Sequence, residues 1–310
     1  MTDTHKAAGL QRVVLAQSGG LDTTVAIPWL AAALGAEVIA VTMDLGQKKE
    51  WLEEVRDRAL ASGAVRAHVV DVRDEFARDY LVRGLKAGLL GPDSASMSAA
   101  LAGPLVAQTL VSIAKIEQAH IVAHGDALGD AAPLSRAIRA LEPSLTLQTV
   151  PESMTASADA AAGSTRTAAS PPAEPAFLEI ALERGVPTGI NSVAMPWADL
   201  VGSLDIIAHA HGVGPWPLVL LDVAHRALQQ AAISAEAERF GALVAAEYLR
   251  ILHDGSWFSP MRAALDAYVD KTQERVGGVV RLKLFNGACT VVDARVAATS
   301  MPTIISLAKA

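Results

Sequence analysis

The residues best suited to chemistry lie in one short stretch, RVVLAQSGGLDTT, at residues 12–24. Its apolar run, Val13 to Ala16, predicts a strand buried on both faces. Gly19 and Gly20 lack the Cβ atoms that would block a close approach, and Ser18 adds a hydroxyl donor. A strand that turns through paired glycines into a helix presents unpaired backbone N–H groups at the positive end of the helix dipole. The stretch is therefore suited to binding a phosphate group.

An ordinary strand–helix turn would use the same residues differently. Gly19 and Gly20 would then only reverse the chain, and Asp22 or Thr23 would cap the helix. The spacing matches neither GxGxxG nor GxxxxGK[ST], so neither the dinucleotide fingerprint nor the Walker loop applies. The whole string SGGLDTT resembles the pyrophosphate-binding SGGxDS/T loop of the ATP pyrophosphatase superfamily, whose members split ATP into AMP and pyrophosphate while adenylating a substrate. The resemblance favours a nucleotide site.

Composition limits the classes of protein to which the chain can belong. A single cysteine, Cys289, excludes an intramolecular disulfide framework, and we interpret it as a structural thiol in a strand. The net charge of −7 disfavours a nucleic-acid partner, whose phosphates require a basic surface. The N-terminus carries no apolar run typical of a signal peptide, and no uninterrupted apolar segment approaches the ~20 residues of a membrane span. We expect a cytoplasmic protein without a membrane partner.

The elements that must position the glycine stretch alternate between strand and helix. After the first strand and helix, apolar runs predict strands at 36–42, 67–72 and 121–123, and amphipathic stretches predict helices at about 50–62, 74–86 and 98–117. This alternation predicts an α/β fold with a doubly wound parallel sheet and right-handed crossovers. Ligands of such sheets bind beyond the carboxyl ends of the strands, which is where SGGLDTT falls.

A change of composition divides the chain into two predicted domains. Residues 155–176 consist mainly of Ala, Ser, Thr and Pro and predict a low-complexity linker. Residues 1–154 would form the nucleotide-binding domain and residues 177–310 a second, α+β domain. In the second domain we predict a hairpin over 177–190, helices over 194–212, 218–233, 236–253 and 259–276, and a final hairpin that turns at Asn286-Gly287.

Several separate blocks resemble the argininosuccinate synthase family. They are VVLAQSGGLDTTVAIPWL, AEVIAVTMDLGQ, DEFARDYLVRGLKAG, AGPLVAQTLVSIAK, IVAHGDALG and the segment from LHDGSWFSP to FNGACTVV, and they extend from residue 12 to about residue 292. The resemblance implies a HUP-type (adenine nucleotide alpha hydrolase-like) nucleotide-binding domain and a synthetase and oligomerisation domain. It also implies an ATP-dependent ligase that joins citrulline to aspartate with release of AMP and pyrophosphate, as in arginine biosynthesis.

The same resemblance implies a set of site residues. The residues that would hold the ATP phosphates are Ala16, Ser18, Gly19, Gly20, Leu21, Asp22, Thr23 and Thr24. Met43 would lie beside adenine and Gly125 would back the nucleotide. Magnesium is expected on the pyrophosphate, with Asp22 as its acidic contact, and Asp22 and His124 are the catalytic candidates. Asp22 could instead cap the helix, and His124 could equally be a hydrogen-bonded structural histidine. No residue pattern completes a protein metal site.

The amino-acid half of the family's site matches less well. The family's serine and arginine in this region appear here as Ala100 and Gly103, and residues 127–136 lack the family's threonine, lysine and Asn-Asp pair. The segment after Gly214 and the C-terminal arm are shorter than in the family. An amino-acid substrate in a water-excluded cleft needs such donors and acceptors, each worth roughly 1–3 kcal/mol. We therefore expect ATP binding with weak or absent citrulline turnover.

Three function hypotheses remain open from the sequence. The chain could be an argininosuccinate synthase-type ligase for citrulline and aspartate or for altered small-molecule substrates, and a homo-oligomer like the family. It could instead be an ATP-binding homologue that acts as a regulatory or partner subunit without catalysis. It could also be another ATP pyrophosphatase, for example an amidating or a thiolating enzyme. The absence of a catalytic cysteine pair and of a basic RNA-binding face disfavours the thiolating enzyme.

Overall fold

The structure is a computed structural model that describes residues 11–18, 21–91, 94–125, 132–151, 174–213 and 218–297. For residues 21–23 and 94–95 it describes the helical backbone alone. The chain divides into two compact units. Unit 1 comprises residues 1–84, 95–167 and 245–265, and unit 2 comprises residues 85–94, 168–244 and 266–310. Both units are therefore discontinuous in sequence.

A parallel five-stranded sheet forms the centre of unit 1. Its strands are β1 (Gln11–Ala16), β2 (Ala36–Asp44), β3 (Arg66–Asp71), β4 (Ile121–His124) and β5 (Thr146–Thr149). The strand order is β3-β2-β1-β4-β5, and every neighbouring pair is parallel. The order reverses between β1 and β4, as in a doubly wound sheet. The predicted fold class is confirmed. The edge strand β5 was not predicted, because TLQT carries no apolar run.

Helices cover the sheet because the strands are apolar on both faces. Val13, Val14 and Leu15 are fully buried. The face formed by Val13 and Leu15 packs into one apolar cluster with Ile27 and Leu30 of the first helix. The helices of this part of the chain are α1 (Leu21–Leu34), α2 (Lys49–Ala61), α3 (Arg73–Glu75), a π-helical stretch (Phe76–Leu81), α4 (Val82–Lys86), α5 (Ser94–Ile116) and α6 (Pro133–Leu141).

Helix α5 is unusually apolar. Its segment Ser96–Ile116 is, in the part of the chain that the structure describes, the one helix long and apolar enough to cross a membrane. In this fold the same helix buries Leu101, Leu105 and Leu110 almost completely. Its apolar character is therefore accounted for by packing within the protein.

Unit 2 is built on an antiparallel sheet with the strand order β10-β9-β6-β7-β8. Its strands are β6 (Ala176–Glu183), β7 (Val186–Ile190), β8 (Val193–Ala194), β9 (Gly278–Phe285) and β10 (Ala288–Val296). The β6–β7 and β9–β10 hairpins turn through Arg184-Gly185 and Asn286-Gly287, and all four residues have positive φ, from 51° to 76°. Such two-residue turns match the twist of the strands they join. Both predicted hairpins are confirmed.

Four helices of the C-terminal half follow the predicted pattern closely. They are α7 (Trp197–Ala210), α8 (Leu218–Ala232), α9 (Ala235–His253) and α10 (Pro260–Gln273). The segment 245–265 at the end of α9 belongs to unit 1, where Trp257 is fully buried. The Trp257 ring stacks on Tyr80 of the π-helical stretch, with 5.7 Å between the ring centroids. The predicted linker at 155–176 lies almost entirely outside the described residues, so the domain limits at 154 and 177 stay a prediction.

Candidate nucleotide site

The carboxyl ends of β1, β2 and β4 meet at one edge of the parallel sheet. Leu15 of β1 pairs with Ala40 of β2 and with Ala123 of β4. Residues further along each strand therefore converge on the same edge. Ala16 ends β1, and Gly125 directly follows the end of β4. The N–H of Gln17 donates to the carbonyl of Val41 at 2.9 Å and so extends the ladder by one residue.

Helix α1 begins at this edge. Its first residue is Leu21, and it packs back along the sheet through Ile27 and Leu30. The first turn of a helix carries unpaired N–H groups and a partial positive charge, and here they lie at the end of the central strand. Ser18 is exposed beside them, and Thr24 is half-buried with a polar partner. Gly19, Gly20 and the side chains of Leu21, Asp22 and Thr23 lie outside the described residues, so their assigned roles stay predictions.

His124 is the last residue of β4 and its side chain is only 1% exposed. The imidazole Nε2 lies 2.8 Å from the hydroxyl oxygen of Ser135, which is fully buried on α6. A buried polar ring needs such a partner, because an unpaired one would lose its hydration without compensation. The structure thus holds His124 in a buried hydrogen bond at the predicted edge. Its catalytic role stays a prediction.

Met43 lies one residue before the end of β2 and is 9% exposed. The next residues, Asp44 to Gln47, form a tight turn. Asp44 Oδ1 accepts the N–H of Gly46 at 2.8 Å, and Gln47 Oε1 accepts the N–H of Leu45 at 2.7 Å. Both side chains of the DLGQ segment therefore hydrogen-bond to the turn's own backbone, as in turns stabilised by side chains.

A cavity of about 340 Å³ lies beside α2 and the C-terminal parts of β2 and β3. Its lining carries both signs of charge: Asp44, Gln47, Lys49, Leu52, Glu53, Arg56, Val69 and Arg73. Two hydrogen bonds from the Arg73 guanidinium, at 2.6 and 2.9 Å, engage the carboxylate of Asp71. These hydrogen bonds lower the pKa of Asp71 to about 2. Arg73 also lies 3.6 Å from Asp44, so it links the ends of the two strands.

Sequence reasoning missed one polar side chain at this edge, that of Gln17. It is 4% exposed, and neither its amide nitrogen nor its amide oxygen has a hydrogen-bond partner among the described residues. Thr42, also buried at 3% exposure, lies at the matching position of β2. The one sequence signal was a polar residue placed between an apolar strand and the glycine pair, and that pattern fits a surface turn equally well.

Magnesium was expected at this site as an ion carried by the phosphates. Among the described residues, no group of three or more His, Cys, Asp or Glu side chains is arranged to hold a metal ion. The two described carboxylates nearest the edge, Asp44 and Asp71, are engaged by a backbone N–H and by Arg73. The side chain of Asp22, the predicted contact, lies outside the described residues, so magnesium stays a prediction.

A parallel sheet in the order β3-β2-β1-β4-β5, with a helix beginning at the end of its central strand, defines a HUP-type α/β domain. Comparison with known proteins specifies the family. Residues 12–150 match the arginosuccinate synthase N-terminal HUP domain, and residues 215–304 match the arginosuccinate synthase C-terminal domain. The chain therefore belongs to the argininosuccinate synthase family.

Curated relatives agree over most of the chain. The argininosuccinate synthase of Caldanaerobacter subterraneus subsp. tengcongensis is 34% identical over an alignment of 346 positions, gaps included, that covers 89% of this chain and 84% of that protein. The argininosuccinate synthase of Moorella thermoacetica is 32% identical, with coverages of 90% and 85%. A solved universal stress protein in complex with cAMP aligns with 46% of this chain and 96% of its own, at 20% identity and a TM-score of 0.24.

Proposed function

We propose that this protein is an ATP-dependent, AMP- and pyrophosphate-forming ligase that makes a carbon–nitrogen bond, as its argininosuccinate synthase relatives are named for doing. The observation that carries the proposal is the family match over both halves of the chain. It is supported by a helix N-terminus placed at the carboxyl edge of a parallel sheet, which is where such sheets bind nucleotides.

The reaction would proceed in two displacements. A ureido oxygen attacks the α-phosphorus of ATP, the bond from that phosphorus to its bridging oxygen breaks, and pyrophosphate leaves. The amine of the second substrate then attacks the adenylated carbon, loses a proton, and displaces AMP. Each step moves negative charge onto a phosphate, so fixed donors at that point lower the barrier most.

The residues of this chain would supply that stabilisation at the start of α1. Backbone N–H groups of residues 19–24, with the hydroxyls of Ser18, Thr23 and Thr24, would hold the phosphates. Magnesium would neutralise the departing pyrophosphate, with Asp22 as its protein contact. Met43 would lie against adenine and Gly125 behind the nucleotide, while Ala16 and Leu21 flank the phosphates. His124 is the remaining catalytic candidate.

The acceptor substrate is proposed to differ from citrulline, or to be used poorly if it is citrulline. Positions 100 and 103, where the family carries a serine and an arginine, hold alanine and glycine on helix α5. A Cβ added at Gly103 would meet no atom within 4 Å. The donors are therefore absent from these two positions, although space for a side chain remains at Gly103.

Calorimetry with ATP and magnesium, followed by an assay of pyrophosphate release, tests the proposal. We expect the wild-type protein to bind ATP and Gly19→Ala to bind it at least tenfold more weakly, because a Cβ obstructs the phosphate approach. The matched control is Gly202→Ala in α7, where a Cβ meets nothing within 4 Å. ATP binding that is absent from the wild type, or equal in the three proteins, would contradict the nucleotide site.

The second candidate is an ATP-binding partner subunit without ligase activity, and the alanine and glycine at positions 100 and 103 favour it. A screen of amino acids and ureido compounds for pyrophosphate release separates the two candidates. Release with any acceptor supports the ligase, and release with none, despite ATP binding, supports the partner subunit.

The double variant Ala100→Ser, Gly103→Arg should raise turnover with citrulline and aspartate if the missing donors limit it. Homo-oligomer formation, also proposed, is tested by sedimentation.

A further inference from the structure

The candidate nucleotide site contains a buried side-chain amide, that of Gln17, which forms no hydrogen bond with the described residues. Gln17 is buried, with 4% of its surface exposed. Both polar atoms lack a hydrogen-bond partner among the described residues. A primary amide offers two N–H donors and a carbonyl acceptor, so two kinds of hydrogen-bonding capacity are left unused. An unpaired buried amide destabilises a folded protein, and such a group calls for an explanation.

The strand register places this amide on the α1 side of the sheet. Side chains alternate between the faces of a strand, so Gln17 follows Val13 and Leu15, which pack with Ile27 and Leu30 of α1. Ala16 pairs with Val41 on β2, and Leu15 pairs with Ala123 on β4. The same register, continued to Gln17, sets this residue between Thr42 and Gly125. The amide thus lies at the carboxyl edge of the sheet, directly after β1. In sequence, Gln17 precedes the first residue of α1 by four positions.

The polar groups nearest in the fold do not satisfy it. Thr42, its neighbour on β2, forms no hydrogen bond with either atom of the amide. His124 on β4 lies on the opposite face by alternation, and its Nε2 is paired with Ser135. Gly125, which directly follows β4 and lies beside Gln17, has no side chain that could pair with the amide. The partner for the amide is therefore expected to come from outside the protein.

We propose that Gln17 is a specificity-determining residue that hydrogen-bonds to the nucleoside part of the bound nucleotide. This inference rests on the proposed function, because it assumes that a nucleotide enters the edge. A phosphate group ionised at neutral pH offers acceptors and would leave the amide oxygen unpaired. An adenine edge or a ribose hydroxyl offers a donor and an acceptor together, which satisfies both ends of the amide.

The test is the near-isosteric variant Gln17→Met, measured for stability and for binding. Without ligand, the variant should melt a few degrees higher than the wild type, because it removes an unpaired buried amide. It should bind ATP, AMP and adenosine about 10- to 100-fold more weakly, by one common factor. Its affinity for inorganic pyrophosphate with magnesium should be unchanged.

Gln273→Met is the matched control, since Gln273 is a buried glutamine of unit 2 whose amide is paired. Its Oε1 lies 2.8 Å from His225 Nε2, and its Nε2 donates to the Lys86 carbonyl at 3.2 Å. This variant should melt lower than the wild type and bind ATP equally well. We therefore expect the melting temperature to rise in Gln17→Met and to fall in Gln273→Met, and ATP affinity to fall in Gln17→Met alone. This combination distinguishes an amide that binds the ligand from one that stabilises the fold.

Several results would overturn the inference. These are an unchanged ATP affinity in Gln17→Met, an equal loss for pyrophosphate, a lowered melting temperature, or failure of that variant to fold. If the wild type binds ATP and Gln17→Met binds it equally, this inference fails alone. If the wild type does not bind ATP, the proposed function fails as well, so the two failures are distinguishable.

Discussion

At the scale of single residues, burial decides which groups respond to pH. His225 on α8 is 1% exposed, and its Nε2 hydrogen-bonds to Gln273. Burial, with Arg226 and Lys86 nearby, lowers the pKa of His225 to about 4, although the Gln273 hydrogen bond opposes that shift. The imidazole is therefore neutral in the folded protein at neutral pH. In the unfolded chain its pKa returns to about 6.5.

A pH-dependent loss of stability follows from this shift. Between pH 6.5 and pH 4 the unfolded chain binds a proton that the folded protein refuses, so the free energy of unfolding falls as the pH falls. The contribution of His225 is complete above pH 6.5 and is lost towards pH 4, amounting to about 3 kcal/mol. Urea unfolding at several pH values should show a shallower pH dependence in His225→Gln than in the wild type. Identical slopes would contradict the buried neutral imidazole.

At the scale of secondary structure elements, one glycine lowers the stability of a helix and another permits a close contact between two segments. Gly103 lies inside α5, where glycine costs a helix roughly 0.5–1 kcal/mol relative to alanine and where a Cβ has open space. Gly255 has a φ of 68°, and a Cβ there would collide with the carbonyl of Pro133 in α6. The same residue type therefore has opposite roles in two elements.

Substitution by alanine should separate these two roles. Gly103→Ala should raise the free energy of unfolding by about 0.5–1 kcal/mol. Gly255→Ala should lower it by more than 1 kcal/mol, because the left-handed backbone and the collision both oppose a Cβ. Thermal and urea unfolding measure both changes. A destabilised Gly103→Ala would show that a neighbouring group occupies that side of α5.

At the scale of the whole molecule, the chain passes between two units more than once. Unit 1 contains residues 245–265, and their Trp257 stacks on Tyr80 and lies 6.2 Å from Tyr248 between ring centroids. A cut in the predicted linker would therefore leave each fragment holding part of unit 1. The pieces depend on each other for a buried aromatic cluster.

Limited trypsin digestion tests the predicted linker. Arg166 is the one trypsin site between residues 155 and 176, and the composition there predicts early cleavage. We expect two fragments that co-elute on native gel filtration, because the stacked rings of Trp257 and Tyr80 would lie on different fragments. The same fragments should separate in denaturant. Slow cleavage at Arg166 would contradict the linker. Fragments that separate under native conditions would contradict the shared unit.

The sequence by itself determined most of the regular elements and indicated the family. The apolar run Val13 to Ala16 and the strand–helix alternation were sufficient for the parallel sheet, because a strand covered on both faces needs apolar residues at successive positions. The Asn286-Gly287 pair was sufficient for the last hairpin turn. The SGGLDTT string indicated the ATP pyrophosphatase superfamily, and the separate blocks from residue 12 to about residue 292 indicated the family that the comparisons then established.

Tertiary structure alone decided which polar groups are buried. Glu117, at the end of α5, resembles a surface residue in sequence, yet it is 2% exposed and pairs with Arg66 and His68 of β3 at 2.7 and 2.8 Å. The same holds for the paired Gln273 and the unpaired Gln17. Local sequence determines whether a segment is a strand or a helix. Burial of a polar side chain depends instead on elements far away in the chain that pack over it, and no local pattern records them.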